Sequence, residues 1–158
     1  MGDDERAFMP QDVKVRRFSP RDLDGVIEIE RDSFKYPYDR RVFAYYRFAS
    51  PDGFLVAEVE GKVVGYVIAS TPPLMSEGKL VSIAVDPSYR GAGIGGELMR
   101  RAIEHLREAG RKRVSLEVRE SNVAAIKFYE GFGFRRERVI PRYYQDGENA
   151  IRMSKELG

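Results

Sequence analysis

Cysteine is absent from all 158 residues. That excludes disulfides, thiolate zinc sites and a cysteine nucleophile, and it fits a reducing compartment such as the cytoplasm. Histidine occurs once, at His105, so no multi-histidine metal site can form, and a Ser-His-Asp triad could be built only around that ring. The chain also lacks any run near the ~20 apolar residues that cross a bilayer. Its opening Met1-Gly-Asp-Asp-Glu-Arg6 is acidic and has no apolar signal core, so a cytoplasmic protein without a membrane partner is expected. Nor is there a charge excess: 27 Lys and Arg against 25 Asp and Glu leave +2, too little for a dedicated nucleic-acid surface. No arginine cluster is interleaved with stacking aromatics either, so direct nucleic-acid binding is not expected.

What is present is enough apolar material, 42% of residues beside 33% charged, for one core under a charged surface. Residues 1–10 read as a flexible tail and 11–158 as a single domain. Val13 to Phe18 alternates as a strand. Ser19-Pro20-Arg21-Asp22 then starts a helix, with Ser19 as N-cap and Pro20 in the first turn, running to about Phe34. Tyr36-Pro37-Tyr38 breaks it, and an aromatic-rich helix is predicted from Asp39 to Ala49. Phe54 to Val59 and Lys62 to Ala69 are strands joined by a tight Glu60-Gly61 hairpin. Lys79 to Val85 is a further strand. Gly93 to Ala109 carries the best helical stripe, Leu98, Ala102 and Leu106 with Met99 and Ile103, closed by Gly110. A strand at 113–118, a helix at 122–131 and strands at 135–140 and 149–154 complete the order β-α-α-β-β-β-α-β-α-β-β. An antiparallel meander followed by a strand-helix-strand crossover predicts an α/β (α+β) fold, with a mixed sheet of six or seven strands flanked by about four helices.

Between a strand and the strongest helix lies Arg90-Gly91-Ala92-Gly93-Ile94-Gly95-Gly96. Glycines there let successive backbone amides turn toward one point. The helix start behind them adds unpaired donors and a partial positive charge, which together suit a phosphate or pyrophosphate. Gly91, Gly93 and Gly96 satisfy the dinucleotide spacing G-x-G-x-x-G. However, Asp86-Pro87-Ser88-Tyr89 separates the loop from its strand, and the preceding strands form a meander rather than βαβ units. A P-loop fails outright, because no Gly-Lys-Ser/Thr closes the run.

Four blocks in order make a resemblance specific. Val81-Ser-Ile-Ala-Val85-Asp-Pro followed by Arg90-x-x-Gly93-x-Gly95 looks like the acyl-CoA signature of the GCN5-related N-acetyltransferases. Leu116-Glu-Val-Arg-x-Ser-Asn122, Ala125-Ile-x-x-Tyr129 and Gly131-Phe-Gly-Phe134 resemble the carboxy-terminal half of the same family. Tyr143-Tyr144-x-Asp-Gly-Glu148-x-Ala150 resembles its ribosomal-protein alanine acetyltransferases and archaeal N-terminal acetyltransferases. The resemblance spans residues 13–157 and implies acetyl-CoA as co-substrate without a metal. It further implies a protein or peptide N-terminus as acceptor, and association with the ribosome. By resemblance, the backbone of Ile83, Ala84 and Val85 pairs with the pantetheine amides. Arg90, Gly91, Ala92, Gly93, Ile94, Gly95 and Gly96 would hold the pyrophosphate.

The remaining roles follow from chemistry and resemblance together. Asn122 and Tyr129 share one helix face about 10 Å apart, which suits Asn122 at a pantetheine amide and Tyr129 near the sulfur. Without cysteine, direct attack of the amine in a ternary complex is the natural route. Glu117, facing away from Leu116 and Val118, is the candidate base, directly or through water. Tyr129 is the candidate acid, and the Val85 amide would polarise the thioester carbonyl. Tyr36, Tyr38, Tyr143 and Tyr144 are expected to wall the acceptor slot. Two positions depart from the archaeal relatives: Phe34-Lys35-Tyr36-Pro37 stands where many carry a glutamate, and Lys79 where some carry a histidine. Alternatives are a relative that acetylates lysine or a small amine, and a non-catalytic acyl-CoA-binding module. Retention of both Glu117 and Tyr129 argues against the latter.

Overall fold

The computed structural model describes residues 12–158, so the tail expected over residues 1–10 lies outside the described residues. The chain begins with β1 (Lys14–Arg17), and the helix expected from Pro20 opens as a 3-10 turn, Pro20–Asp22, before α1 (Leu23–Ser33). The buried Asp22 explains that tight entry. Its carboxylate accepts the Ser19 N–H at 2.8 Å and both terminal nitrogens of Arg16 at 2.8 and 2.9 Å, tying the turn to β1. Asp39 caps α2 (Arg40–Ala49) by accepting from the Arg41 amide. Then β2 (Phe54–Val59) and β3 (Lys62–Ser70) meet at Glu60 and Gly61, with φ of 50° and 80°, the left-handed pair a two-residue hairpin demands. The rest follows in the expected order: β4 (Glu77–Val85), α3 (Ile94–Glu108), β5 (Arg113–Arg119), α4 (Val123–Gly131), β6 (Arg135–Ile140) and β7 (Ala150–Glu156).

The seven strands of the described residues form one sheet in the order β1-β2-β3-β4-β5-β7-β6. Every neighbouring pair is antiparallel except β4 and β5, which the α3 crossover makes parallel. Alternation along β2 sends Leu55 and Ala57 to one face and Phe54 and Val56 to the other. Against the first face pack α3 and α4, through Ile94, Leu98, Met99, Ile103, Leu106 and Ile126. The second meets Val26, Ile27 and Ile29 of α1 and Phe43 of α2. Beyond β4 that second face carries charged and hydroxyl side chains instead: Arg113, Ser115, Glu117 and Arg119 of β5, and Arg152 and Ser154 of β7. β6 closes the sheet as an exposed edge.

Two irregularities shape the centre. Ile68 pairs with Ser82 but Ala69 with Leu80, so Val81 is an extra residue in β4, a bulge that reverses the strand's alternation and sharpens its twist. The parallel ladder between β4 and β5 holds only Glu77–Arg113, Gly78–Val114 and Lys79–Ser115. Past Lys79 the two strands part, and the side of β4 away from β3, from Leu80 to Val85, has no neighbouring strand among the described residues.

Close packing of α3 on the sheet holds the start of that helix beside this edge. A Cβ built on Gly65 of β3 would lie 3.1 Å from Leu98 Cδ1, 3.5 Å from Ile94 Cγ2 and 3.2 Å from the Ala84 carbonyl oxygen. Gly65→Val should therefore overpack this junction by roughly 1–3 kcal/mol. Thermal unfolding should show a midpoint lower by about 2–4 °C per kcal/mol, and an unchanged midpoint would show that α3 rides clear of the sheet.

Candidate active site

The open edge of β4 and the glycine loop after it form one continuous surface. The Asp86 amide reaches back to the Val64 carbonyl at 2.8 Å. Strand alternation therefore turns the N–H and C=O of Val85 away from β3, into the gap. The Val85 carbonyl is already taken by Arg90, whose Nε donates to it at 2.9 Å while Nη2 donates to Ser33 Oγ at 3.0 Å. Arg90 thus braces the end of α1 against β4, and its guanidinium is engaged with protein rather than turned freely to the loop. Gly91 and Gly93 have φ of 82° and 84°, a backbone state costing other residues about 1–2 kcal/mol. Gly93 is the N-cap of the 15-residue α3, and no side chain caps it. The first-turn amides of Ile94, Gly95 and Gly96 consequently have no intrahelical acceptor. A bare helix start approached through glycine fits a pyrophosphate, and the strand edge beside it fits the amides of a pantetheine arm.

Glu117 lies past the point of divergence on β5, on the charged face, with its side chain only 10% exposed. One carboxylate oxygen contacts Lys79 Nζ and the other accepts from Arg152 Nη1 at 3.0 Å. Arg152 in turn donates to Glu77 Oε2 at 2.8 Å, and Ser115 Oγ donates to the same oxygen at 2.8 Å. The predicted base is therefore held rigidly within a network of alternating charges. On α4, Asn122 caps the helix by accepting from the Ala125 amide at 3.1 Å. Tyr129 packs edge-on against Phe128 and Phe134 at 5.7 and 5.8 Å. Those apolar rings desolvate its phenol and push it up to about 12, so it remains a proton donor throughout the physiological range. His105 lies elsewhere, against Gly53 in the loop before β2.

Three of the four predicted acceptor tyrosines lie within electrostatic reach of Glu117. Tyr38 comes from the α1–α2 loop, and Tyr143 and Tyr144 from the β6–β7 loop. All three phenols are raised, chiefly by burial, and each is raised further by the negative charge of Glu117. Tyr143 and Tyr144 pack edge-to-face at 5.0 Å. Tyr36 stands farther out, beneath Arg119, whose guanidinium lies 5.5 Å from its ring centroid and 4.2 Å from that of Tyr144.

Two residues that build this site escaped the motif reading. Glu30 is 2% exposed in α1. It accepts the Tyr38 amide at 2.9 Å and the Tyr66 hydroxyl, which also contacts Ser82 Oγ at 2.9 Å beside the bulge. Burial raises the Glu30 carboxyl above its ordinary range. The signal was an acidic residue in step with the apolar stripe Val26, Ile27 and Ile29. Arg119, two residues after Glu117 on the same face, is the other. It stands within the Leu116–Asn122 block, but its partners lie in two distant loops, so the block alone gives it no role.

Comparison with known proteins agrees with this geometry. Residues 23–134 match the acetyltransferase (GNAT) family. The chain is 34% identical over 158 residues to an N-alpha-acetyltransferase of Sulfurisphaera tokodaii, covering 93% of this chain and 95% of that protein. It is 35% identical over 136 residues to the ribosomal protein bS18-alanine N-acetyltransferase of Escherichia coli K12, covering 84% and 90%. Its fold superposes on the crystal structure of Ard1 from Thermoplasma volcanium with a TM-score of 0.87 and 33% identity, covering 91% and 97%. A seven-stranded sheet with an open β4 edge, a glycine loop at a helix start and these relatives agree: the chain belongs to the acetyltransferase (GNAT) family and is an acetyl-CoA-dependent N-acetyltransferase.

Proposed function

We propose that the acceptor is the N-terminal α-amine of a protein or peptide, acetylated by direct attack in a ternary complex. The observation that carries this reading is the pair of tyrosine-bearing loops held face to face beside Glu117, with Lys35 of one bonded to Asp146 of the other at 3.1 Å and Arg119 between the rings of Tyr36 and Tyr144. Aromatic walls around one acidic group admit an extended chain end better than the middle of a folded chain. The chemistry points the same way. At pH 7 about a tenth of an α-amine is neutral, against about one part in 2,500 of a lysine amine. A site with one carboxylate, whose oxygens already pair with Lys79 and Arg152, is better matched to the easier deprotonation.

Acetyl-CoA would supply the acyl group as a thioester, its pyrophosphate held by the amides of residues 94–96 and its arm along Ile83, Ala84 and Val85. The Val85 amide, turned into the gap, is placed to donate to the thioester carbonyl. As the amine nitrogen bonds to the acyl carbon and the carbon–sulfur bond breaks, Glu117 takes the amine proton, directly or through water, giving up part of an ion pair. Tyr129, protonated throughout, donates to the leaving sulfur. Asn122 holds the start of α4, and with it Tyr129, in register with β5. The relatives that modify chain ends support the same acceptor class, including the ribosomal-protein alanine enzyme, and a ribosomal protein is one candidate target.

Gly93→Asp should abolish acetyl-CoA binding in calorimetry, because it combines a strained left-handed residue with negative charge at the phosphate site. Unchanged affinity would remove the glycine loop from the site. Tyr129→Phe should lower kcat by about 100-fold while acetyl-CoA affinity stays within about twofold. With the Tyr129 phenol at about 12, wild-type kcat/KM should rise from pH 7 to 9.5 as the amine loses its proton, with no falling limb in that range. Glu117→Gln should lose most at pH 7 and least near pH 9, and a loss independent of pH would exclude Glu117 as the base. Mass spectrometry of peptides bearing both a free α-amine and an internal lysine tests the acceptor directly. Acetylation mainly on lysine would overturn the reading.

A further inference from the structure

Arg119 joins the two loops that face each other across the acceptor slot. Its guanidinium stacks over Tyr144 of the β6–β7 loop at 4.2 Å and lies 5.5 Å from the ring of Tyr36 in the α1–α2 loop. Nη1 donates to Asp146 at 3.0 Å and to Glu148 at 2.7 Å. Lys35 of the α1–α2 loop reaches the same Asp146 at 3.1 Å and lies over the Tyr36 ring at 5.8 Å. Glu148 uses its second oxygen to accept the Ser121 amide at 2.8 Å, one residue before the cap of α4. Both carboxylates are held well into their ionised range. Asp146 sits at about 2, chiefly through the Glu148 amide and then through Lys35 and Arg119, and Glu148 is lowered chiefly by Ser121 and then by Arg119. Two cations balance two carboxylates, so the cluster is not a site awaiting an ion. It is a closed clasp.

Its place along β5 gives the clasp a function. Arg119 follows Glu117 on the same face, so the clasp sits about 7 Å outward from the carboxylate where the amine reacts. An acceptor extended along β5 from Glu117 toward Arg119 would advance ~3.5 Å per residue, placing its third residue beneath Tyr36 and Tyr144. We propose that Arg119 is a positioning residue for acceptor recognition: by clamping Tyr36 against Tyr144 it sets the width of the slot around the third acceptor residue and selects extended chain ends over single-residue amines. This rests on the α-amine reading above for the acceptor's direction, though not for the clasp itself. Arg119 acts through the two rings, not on the reacting atoms, so its effect should fall on acceptor KM and depend on acceptor length. A merely structural role would give neither signature.

The test compares alaninamide with a hexapeptide of the same first residue, using the full chain and acetyl-CoA. Arg119→Lys keeps the charge but loses the flat stacking face and the fork. It should raise KM for the hexapeptide by about tenfold, with a much smaller change for alaninamide and none in the KM for acetyl-CoA. Lys35→Ala and Asp146→Asn, which cut the outer pair at the surface, should shift the hexapeptide KM in the same direction by a few-fold. These two carry the test if Arg119→Lys does not fold. Equal penalties on both acceptors, or a loss confined to kcat, would overturn the proposal. Wild-type acetylation sites, mapped on the same hexapeptide carrying an internal lysine, judge the α-amine reading separately. A length-dependent clasp effect on lysine acceptors would keep the clasp and sink that reading.

Discussion

Backbone hydrogen bonding between β4 and β5 stops after three residue pairs, and the rest of the site is arranged around that stop. A parallel sheet ordinarily satisfies every central amide and carbonyl. Here the upper half of β4 is left to be satisfied by something other than a strand. The bulge at Val81 turns the strand just where pairing ends. α3 begins at the same end with its own unpartnered amides. Glu117, on the strand that diverges, and Tyr129, on the helix that follows it, flank the opening. A fully zipped sheet of this composition would have a core and no active site.

Much of this was legible in the sequence because it rests on local rules. The hairpin at Glu60-Gly61 needs two left-handed residues, and the α3 stripe needs only helical spacing. The glycine loop is unusual enough to announce a backbone that approaches a ligand. What could not be read are contacts made across long stretches of chain. Lys79 stood out as a departure from a histidine seen in relatives, but its pairing with Glu117, 38 residues away, appears only in three dimensions. Glu30, which no motif marked, is the buried acceptor that holds the Tyr38 amide. Arg90 was expected at the phosphates and is occupied by Val85 and Ser33. The helix expected from Pro20 begins with a 3-10 turn because Asp22 is claimed by Arg16 from the neighbouring strand.

The electrostatics of the proposed acceptor slot are correspondingly asymmetric. Its floor is ionic, with Glu117 between Lys79 and Arg152, whereas its proposed walls are phenols, neutral at physiological pH because a tyrosine titrates near 10 and raised further here by partial desolvation. Neutral walls would neither repel an incoming ammonium nor compete with Glu117 for it. The rim repeats the pattern, with Arg119 and Lys35 matched by Asp146 and Glu148.

The far edge of the sheet bears on a different property of the molecule. β6 is almost wholly exposed, and it reads Arg-Arg-Glu-Arg-Val-Ile. Its arginines lie on both faces of the strand, so any second chain that added itself there would have to bury guanidinium groups above and below the new ladder. Such strands resist templating by neighbouring molecules. The β6–β7 loop, with Tyr143 and Tyr144, thus hangs from an edge that a second sheet would not readily extend.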